Sequence, residues 1–204
     1  MLALLVAAAL VSTPPASTCA QDARVRVWLT VDSEWRWAAP AIRAVVADIW
    51  DTAGLPIEWV DDSARMDLLI NVVPRMTKSE VLGEVLFRGD QPRPMARVSI
   101  EAVREWVDRY RMRLFNVSIT TARVADSALV VRVLGYAAAH EMGHFVLATK
   151  SHASIGLMRA TLADSDVLAT ASRWTLDAVN RERLSDRLIN GPLRNRCAAE
   201  LRPR

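Results

Sequence analysis

The chain has 204 residues, of which 51% are hydrophobic and 24% are charged, and its formal net charge is +3. This length suits one domain with a sizeable core, and the composition is typical of a globular protein and excludes a disordered one. The small net charge, together with a sequence that has no nucleic-acid motif and no Gly-rich phosphate loop, argues against a nucleic-acid partner.

The beginning of the chain has the pattern of an export signal. An apolar run too short to span a bilayer is followed by small residues as far as Ala20. We therefore expect a signal peptide at residues 1–20 and a single exported domain at residues 21–204, secreted or periplasmic, with no transmembrane span. An alternative keeps Cys19 as the site of a lipid anchor. Retention of Cys19 would also allow a disulfide with Cys197, whereas cleavage after Ala20 would leave Cys197 unpaired.

The part that follows predicts a small sheet with one helix. Residues 24–31 alternate between apolar and polar side chains, which is typical of a strand with one buried face. Residues 40–53 have apolar side chains at helical spacing and are followed by Gly54, so we expect a helix there. Residues 57–60 and 67–73 are short apolar runs bounded by turn-forming residues, which predicts two more strands. This order of elements favours an α/β arrangement ahead of the rest of the chain.

The remaining elements are less regular. Residues 75–94 are rich in charge, Gly and Pro, and we expect them to form mainly a loop. Residues 98–100 predict a short strand. Three helices are predicted beyond it, at residues 101–110, 127–147 and 175–189. Asp126 or Ser127 is a suitable N-cap for the second helix, and the aromatic side chains of the first are expected in the core.

Two histidines and a glutamate lie on the second of these helices, in the order His140-Glu141-Met142-Gly143-His144. Residues four apart face nearly the same side of a helix, so His140 and His144 can bind one metal ion with Glu141 beside them. In this H-E-x-x-H arrangement the histidines hold zinc and the glutamate is the general base on a zinc-bound water. The five-residue pattern by itself is also compatible with structural histidines that bind no metal.

The longer segment that includes His152 and Met158 resembles the metzincin clan of zinc metallopeptidases. The pattern of that clan is H-E-x-x-H-x-x-G-x-x-H followed by a methionine turn. The resemblance implies zinc ligands at His140, His144 and His152, a general base at Glu141 and a turn methionine at Met158. The chain departs from the pattern in two respects. Leu147 replaces the glycine, and the spacing from the second to the third histidine is two residues longer.

The longer spacing places a geometric demand on the chain. A helix continued to His152 would carry its imidazole about 12 Å beyond His144, out of reach of the same metal. We therefore expect the helix to end between Ala148 and Ser151, and Gly156 to provide a tight bend before the methionine. The alternative is an acidic third ligand from later in the chain, for which the candidates are Asp164, Asp166 and Glu182.

The motif and the resemblance together predict an α+β, metzincin-like fold. Its parts would be a small twisted mixed sheet and helices above the active-site helix, with a small C-terminal helical subdomain. The expected function is that of an exported zinc-dependent endopeptidase with one Zn²⁺ and a peptide or protein substrate. Two alternatives remain open: an exported binding or scaffold protein with this fold but no proteolysis, and a zinc hydrolase that acts on a non-peptide substrate.

Overall fold

The computed structural model describes residues 24–77, 81–115, 123–167 and 169–190, with the backbone alone at a few helix-end residues. The strands are β1 (Val25–Val31), β2 (Ile57–Trp59), β3 (Leu68–Val73), β4 (Gly83–Arg88) and β5 (Gln91–Ser99). The helices are α1 (Ala39–Thr52), α2 (Ile100–Phe115), α3 (Arg123–Leu147) and α4 (Ala178–Ile189). The expected signal peptide, Cys19 and Cys197 lie outside the described residues. Within the described part of the chain, no helix combines the length and apolarity needed to cross a bilayer.

The architecture is a mixed α/β arrangement around one five-stranded, mostly parallel sheet. The strand order is β2-β1-β3-β5-β4, in which only β4 runs antiparallel to its neighbour. The sheet forms because its strands present apolar side chains at alternate positions. Val25, Val27 and Leu29 of β1 are each at most 5% exposed. The single antiparallel strand therefore forms one edge of the sheet.

Helix α3 is the central element of the fold, because it contacts α1, α2, α4 and three strands. Its interior residues, including Val133, Leu134 and Ala139, are buried. Gly135 allows close approach to α1, since a methyl group on it would lie 2.6 Å from Val45 Cβ. The indole N–H of Trp50 on α1 donates a hydrogen bond of 3.2 Å to the Ala139 carbonyl. The helix that carries the motif is thus packed closely against α1.

The predicted strands at 24–31, 57–60 and 67–73 and the helix at 40–53 are confirmed, with ends within one residue of the prediction. The helix predicted at 101–110 is also confirmed and continues to Phe115 as α2.

The prediction that residues 75–94 form mainly a loop is wrong. They contain β4 and the first part of β5, which form a hairpin with Gly89 in its turn at φ 62°. Pro92 and Pro94 in β5 argued against a strand. They are tolerated because β5 pairs with β3 only from Met95 onward, so the prolines face a side where no ladder hydrogen bond is needed. The strand at the edge is β4. The short strand predicted at 98–100 is the end of β5, which begins at Gln91, and Ile100 is the first residue of α2.

Two helix starts also differ from the prediction. Helix α3 begins at Arg123, so Asp126 and Ser127 lie inside it and are not its N-cap. Helix α4 begins at Ala178, three residues later than predicted, because the Asp177 side chain accepts a hydrogen bond from the Asn180 N–H and caps it.

The bend at Gly156 gives a stability prediction. Gly156 has φ 71°, and a methyl group there would lie only 2.0 Å from the Thr175 carbonyl oxygen. Gly54 has a similar φ of 80° but open space around it, so Gly54→Ala isolates the backbone cost of about 1–2 kcal/mol. We expect Gly54→Ala to lower the Tm by roughly 2–8 °C and Gly156→Ala to lower it at least twice as much. Equal losses in thermal unfolding would contradict the close packing at Gly156.

Candidate metal centre

The two histidines of α3 are held in one orientation by backbone carbonyl groups. His140 Nδ1 lies 2.7 Å from the Leu157 carbonyl oxygen, and His144 Nδ1 lies 2.7 Å from the Thr149 carbonyl oxygen. A carbonyl can only accept a hydrogen bond, so each Nδ1 carries the proton. In a neutral imidazole this leaves the lone pair on Nε2, which is the arrangement that metal-binding histidines use.

The two free nitrogens point at each other. His140 Nε2 and His144 Nε2 are 3.2 Å apart. Burial lowers the pKa of His140 to about 4 and also lowers the pKa of His144, so both rings are neutral at pH 7. Two lone pairs at this separation repel unless a cation lies between them. Two nitrogens bound tetrahedrally to one zinc ion at 2.0–2.1 Å would be about 3.3 Å apart, which matches the observed separation.

The end of α3 brings the third histidine to the other two. The helix stops at Leu147, and Ala148 adopts the left-handed conformation at φ 47°. The Ala148 N–H donates to the Phe145 carbonyl at 3.3 Å and the Thr149 N–H to the His144 carbonyl at 3.2 Å, which is a Schellman motif. The predicted end at 148–151 is therefore confirmed to within one residue, although an alanine occupies the position that usually holds glycine.

The reversal of the chain places His152 beside the helix. Its ring centroid lies 5.3 Å from that of His140 and 4.9 Å from that of His144. One nitrogen from each of the three rings lies within 4.8 Å of the others. His140 and His144 are mostly buried, whereas His152 is exposed. The three histidines therefore form a cluster that could bind a metal ion, with one side open.

Thr149 holds this turn together, and its hydroxyl bonds the nearby backbone as expected of a residue that ends a helix, but its contacts with His144 and Arg183 were not predicted from the sequence. Its carbonyl binds the His144 ring, and its hydroxyl accepts hydrogen bonds from the Ser151 N–H at 3.1 Å and from Arg183 at 2.9 Å. Arg183 belongs to α4, so the last helix supports the turn that carries His152. No motif in the sequence links residues 149 and 183, so their contact could not be predicted from the sequence.

Met158 lies directly under the motif. It is 1% exposed, and a methyl group on Gly143 would be 2.3 Å from its sulfur. Gly143 thus leaves the room that the methionine occupies. The Ala153 N–H donates to the Met158 carbonyl at 2.7 Å, and Gly156 makes the expected tight bend in between. The carbonyl of Leu157 in this bend is the one that orients His140.

Glu141 lies beside the histidines and is 7% exposed. Burial raises the pKa of its carboxyl group to about 8, and the negative charge of Glu84 adds to the shift. A cation held by the histidines would act in the opposite direction and favour the ionised carboxylate.

A cleft of about 470 Å³ lies over this group of residues. The histidines and Glu141 line it, and β4 contributes one wall. Apolar side chains form much of the remaining lining, namely Trp106, Tyr136, Leu157, Leu162 and Trp174. The expectation that the aromatic residues of α2 belong to the core is confirmed for Tyr110, whereas Trp106 is half-buried, packs against the core and also borders the cleft.

The three acidic residues considered as alternative ligands lie elsewhere. Asp164 accepts hydrogen bonds from Arg113, and Asp166 is buried in contact with Arg159 and the Ala163 N–H. Glu182 is exposed on α4. Among the described residues, the group that could hold a metal ion contains the three histidines and none of these carboxylates. The alternative of an acidic third ligand is therefore wrong for this conformation.

No known protein family matches this chain, and no curated protein is significantly similar to it. The resemblance to metzincins accordingly rests on the sequence motif alone, and the structure adds a cluster of three histidines that could bind a metal ion.

The geometry predicts that all three histidines contribute to metal affinity. We expect one Zn²⁺ per chain in the unchanged protein and a dissociation constant raised more than about 100-fold in His152→Ala, beyond the usual effect of an outer-shell change. Ser154→Ala is the control, since Ser154 is exposed in the same loop but belongs to no metal-ligating group. Competition with a chromogenic chelator measures both constants. Equal affinities in His152→Ala and Ser154→Ala would contradict the cluster.

The raised pKa of Glu141 predicts a pH-dependent stability in the metal-free protein. Between its ordinary pKa of 4.5 and about 8 the unfolded chain is ionised at this residue while the folded chain is not, so stability falls as the pH rises through this window. Glu141→Gln removes that loss. We therefore expect the Tm of Glu141→Gln minus that of the unchanged protein to increase from pH 4.5 to about 8 and then stay constant. Protonation of the histidines changes the stability of both proteins in the same way, so its effect cancels when the two Tm values are subtracted.

Thermal unfolding with chelator present at about pH 5, 7 and 9 measures this difference. The same value at all three would show that Glu141 has an ordinary pKa.

Proposed function

We propose that this protein is an exported zinc-dependent endopeptidase of the metzincin type. The observation that carries the proposal is the convergence of His140, His144 and His152 in an open cleft that Glu141 also lines. Structural histidines would be expected to satisfy their ring nitrogens with protein partners. Here the Nε2 atoms of His140 and His144 instead face each other, and the exposed third ring completes the cluster.

Zinc is the metal that suits this donor set best. Three neutral imidazoles and one open position are a known composition of catalytic zinc sites, and the 3.2 Å between His140 Nε2 and His144 Nε2 is close to the separation that tetrahedral coordination requires. Imidazole groups also bind copper, nickel and iron, so metal analysis of the protein as isolated is part of the test. The carbonyls of Leu157 and Thr149 orient two of the ligands, which supports a site built for an ion.

The residues around the site have separate roles in the proposed reaction. Zinc would supply a Lewis acid that polarises the scissile carbonyl and lowers the pKa of a water molecule to about 7. Glu141 would accept a proton from the attacking water and deliver it to the leaving nitrogen. Met158 would support the floor from below without contacting the substrate.

The cleft offers two features that suit a peptide. Among the described strands, β4 pairs only with β5, so its outer edge has unused backbone groups that could bind an extended chain. Beside the histidines, Trp106, Tyr136 and Trp174 provide an apolar wall that could take a large apolar side chain next to the scissile bond. Export is part of the proposal because of the N-terminal apolar run followed by small residues.

The central test is Glu141→Gln. We expect this variant to retain one zinc ion and to lose about 10²–10⁴-fold in peptide cleavage, which is the usual contribution of a general base. Glu182→Gln, at an exposed position of α4, is the control and should cleave normally. A peptide library with mass spectrometric readout, with and without chelator, measures the activity.

Cleavage by Glu141→Gln at the normal rate would remove Glu141 from this role. Zinc binding without cleavage of any peptide by the unchanged protein would favour the alternative, an exported binding or scaffold protein with this site.

A further inference from the structure

Strand β4 passes Glu141 at a glycine. A methyl group on Gly83 would lie 2.6 Å from Glu141 Cγ and 2.9 Å from its Oε1. It would also lie 3.0 Å from the Arg97 carbonyl oxygen of β5. The side chain of Glu141 therefore occupies the space that any side chain at residue 83 would need.

Backbone conformation does not explain this glycine. The glycines with positive φ among the described residues are Gly54, Gly89 and Gly156, and Gly83 is not one of them. Gly83 is paired with Val98 of β5 in an ordinary antiparallel register, where residues with a side chain are favoured. Glycine at residue 83 therefore leaves space for the Glu141 side chain and is not required by the backbone conformation.

The surrounding structure prevents β4 from moving aside. The Ser99 N–H donates to the Leu82 carbonyl at 2.9 Å, and Glu84, the next residue, forms an ion pair with Arg97 at 3.4 Å. These contacts fix the strand on both sides of Gly83. On the helix side, Glu141 belongs to the buried part of α3 and cannot retreat without moving the histidines beside it. A side chain at residue 83 would therefore change the rotamer of Glu141.

We propose that Gly83 is a positioning residue for Glu141, because the gap in the edge strand forms a niche that holds the carboxylate next to the three histidines. The catalytic part of this proposal rests on the proposed function, since it matters for turnover only if Glu141 is the base. The steric part does not depend on activity and can be tested separately.

The first experiment compares Gly83→Ala with Gly135→Ala. The control has an equally close contact of 2.6 Å, but to Val45 in the interface of α1 and α3. Both variants should lose some stability through overpacking. We expect Gly83→Ala to bind one zinc with unchanged affinity and to show kcat reduced at least about 10-fold with KM within about twofold, because the base is displaced and not the substrate. Gly135→Ala should keep kcat. Normal kcat in Gly83→Ala would overturn the positioning role.

The second experiment needs no activity. Gly83→Ala is made in the unchanged protein and in Glu141→Ala, and the Tm change is compared in the two backgrounds. Glu141→Ala removes both Glu141 atoms that the new methyl group would meet and leaves only the Arg97 carbonyl contact. We expect the Tm loss to be less than half as large in Glu141→Ala.

The outcomes separate the two proposals. Equal Tm losses in both backgrounds would overturn the niche, whatever the enzyme does. Unequal losses in a protein that cleaves no peptide would support the niche and reject the proposed function.

Discussion

The hydrogen bond from the Thr149 N–H to the His144 carbonyl, together with the left-handed Ala148, is the constraint on which the site depends. A continued helix would carry His152 away from the other ligands, and this turn returns it to them. The same residue, Thr149, presents its carbonyl to the His144 ring, so the turn that ends the helix also orients a candidate ligand. The left-handed conformation of Ala148 costs about 1–2 kcal/mol, and the hydrogen bond from Arg183 to the Thr149 hydroxyl helps to offset that cost.

Around this turn, the close packing of α3 gives the site its rigidity. Trp50 binds the α3 backbone from one side, and Met158 fills the space under Gly143. The sheet edge approaches the helix from the cleft side and covers the Glu141 carboxyl, which is why its pKa is raised before any cation is present. A bound cation and this desolvation act against each other, and in the proposed enzyme their balance determines the basicity of Glu141.

Local patterns in the sequence were sufficient for the parts of the structure that depend on local spacing. The two helix histidines, the strand β1 and the bend at Gly156 follow from periodicity and from the conformational freedom of glycine. The hairpin of β4 and β5 was missed because its prolines resemble loop residues, and they are accommodated only through the order of strands in the sheet. The support of Thr149 by Arg183 was also missed, because it joins residues that are distant in the chain and no motif marks them.

X-ray absorption at the zinc edge is the most direct test of whether His140, His144 and His152 bind one zinc ion. For the zinc-loaded protein we predict three imidazole nitrogens at about 2.0–2.1 Å and one further light-atom ligand, as in a tetrahedral site with one open position. Two imidazoles with carboxylate oxygens in place of the third would contradict the role of His152. A spectrum of hydrated zinc alone would contradict the site itself.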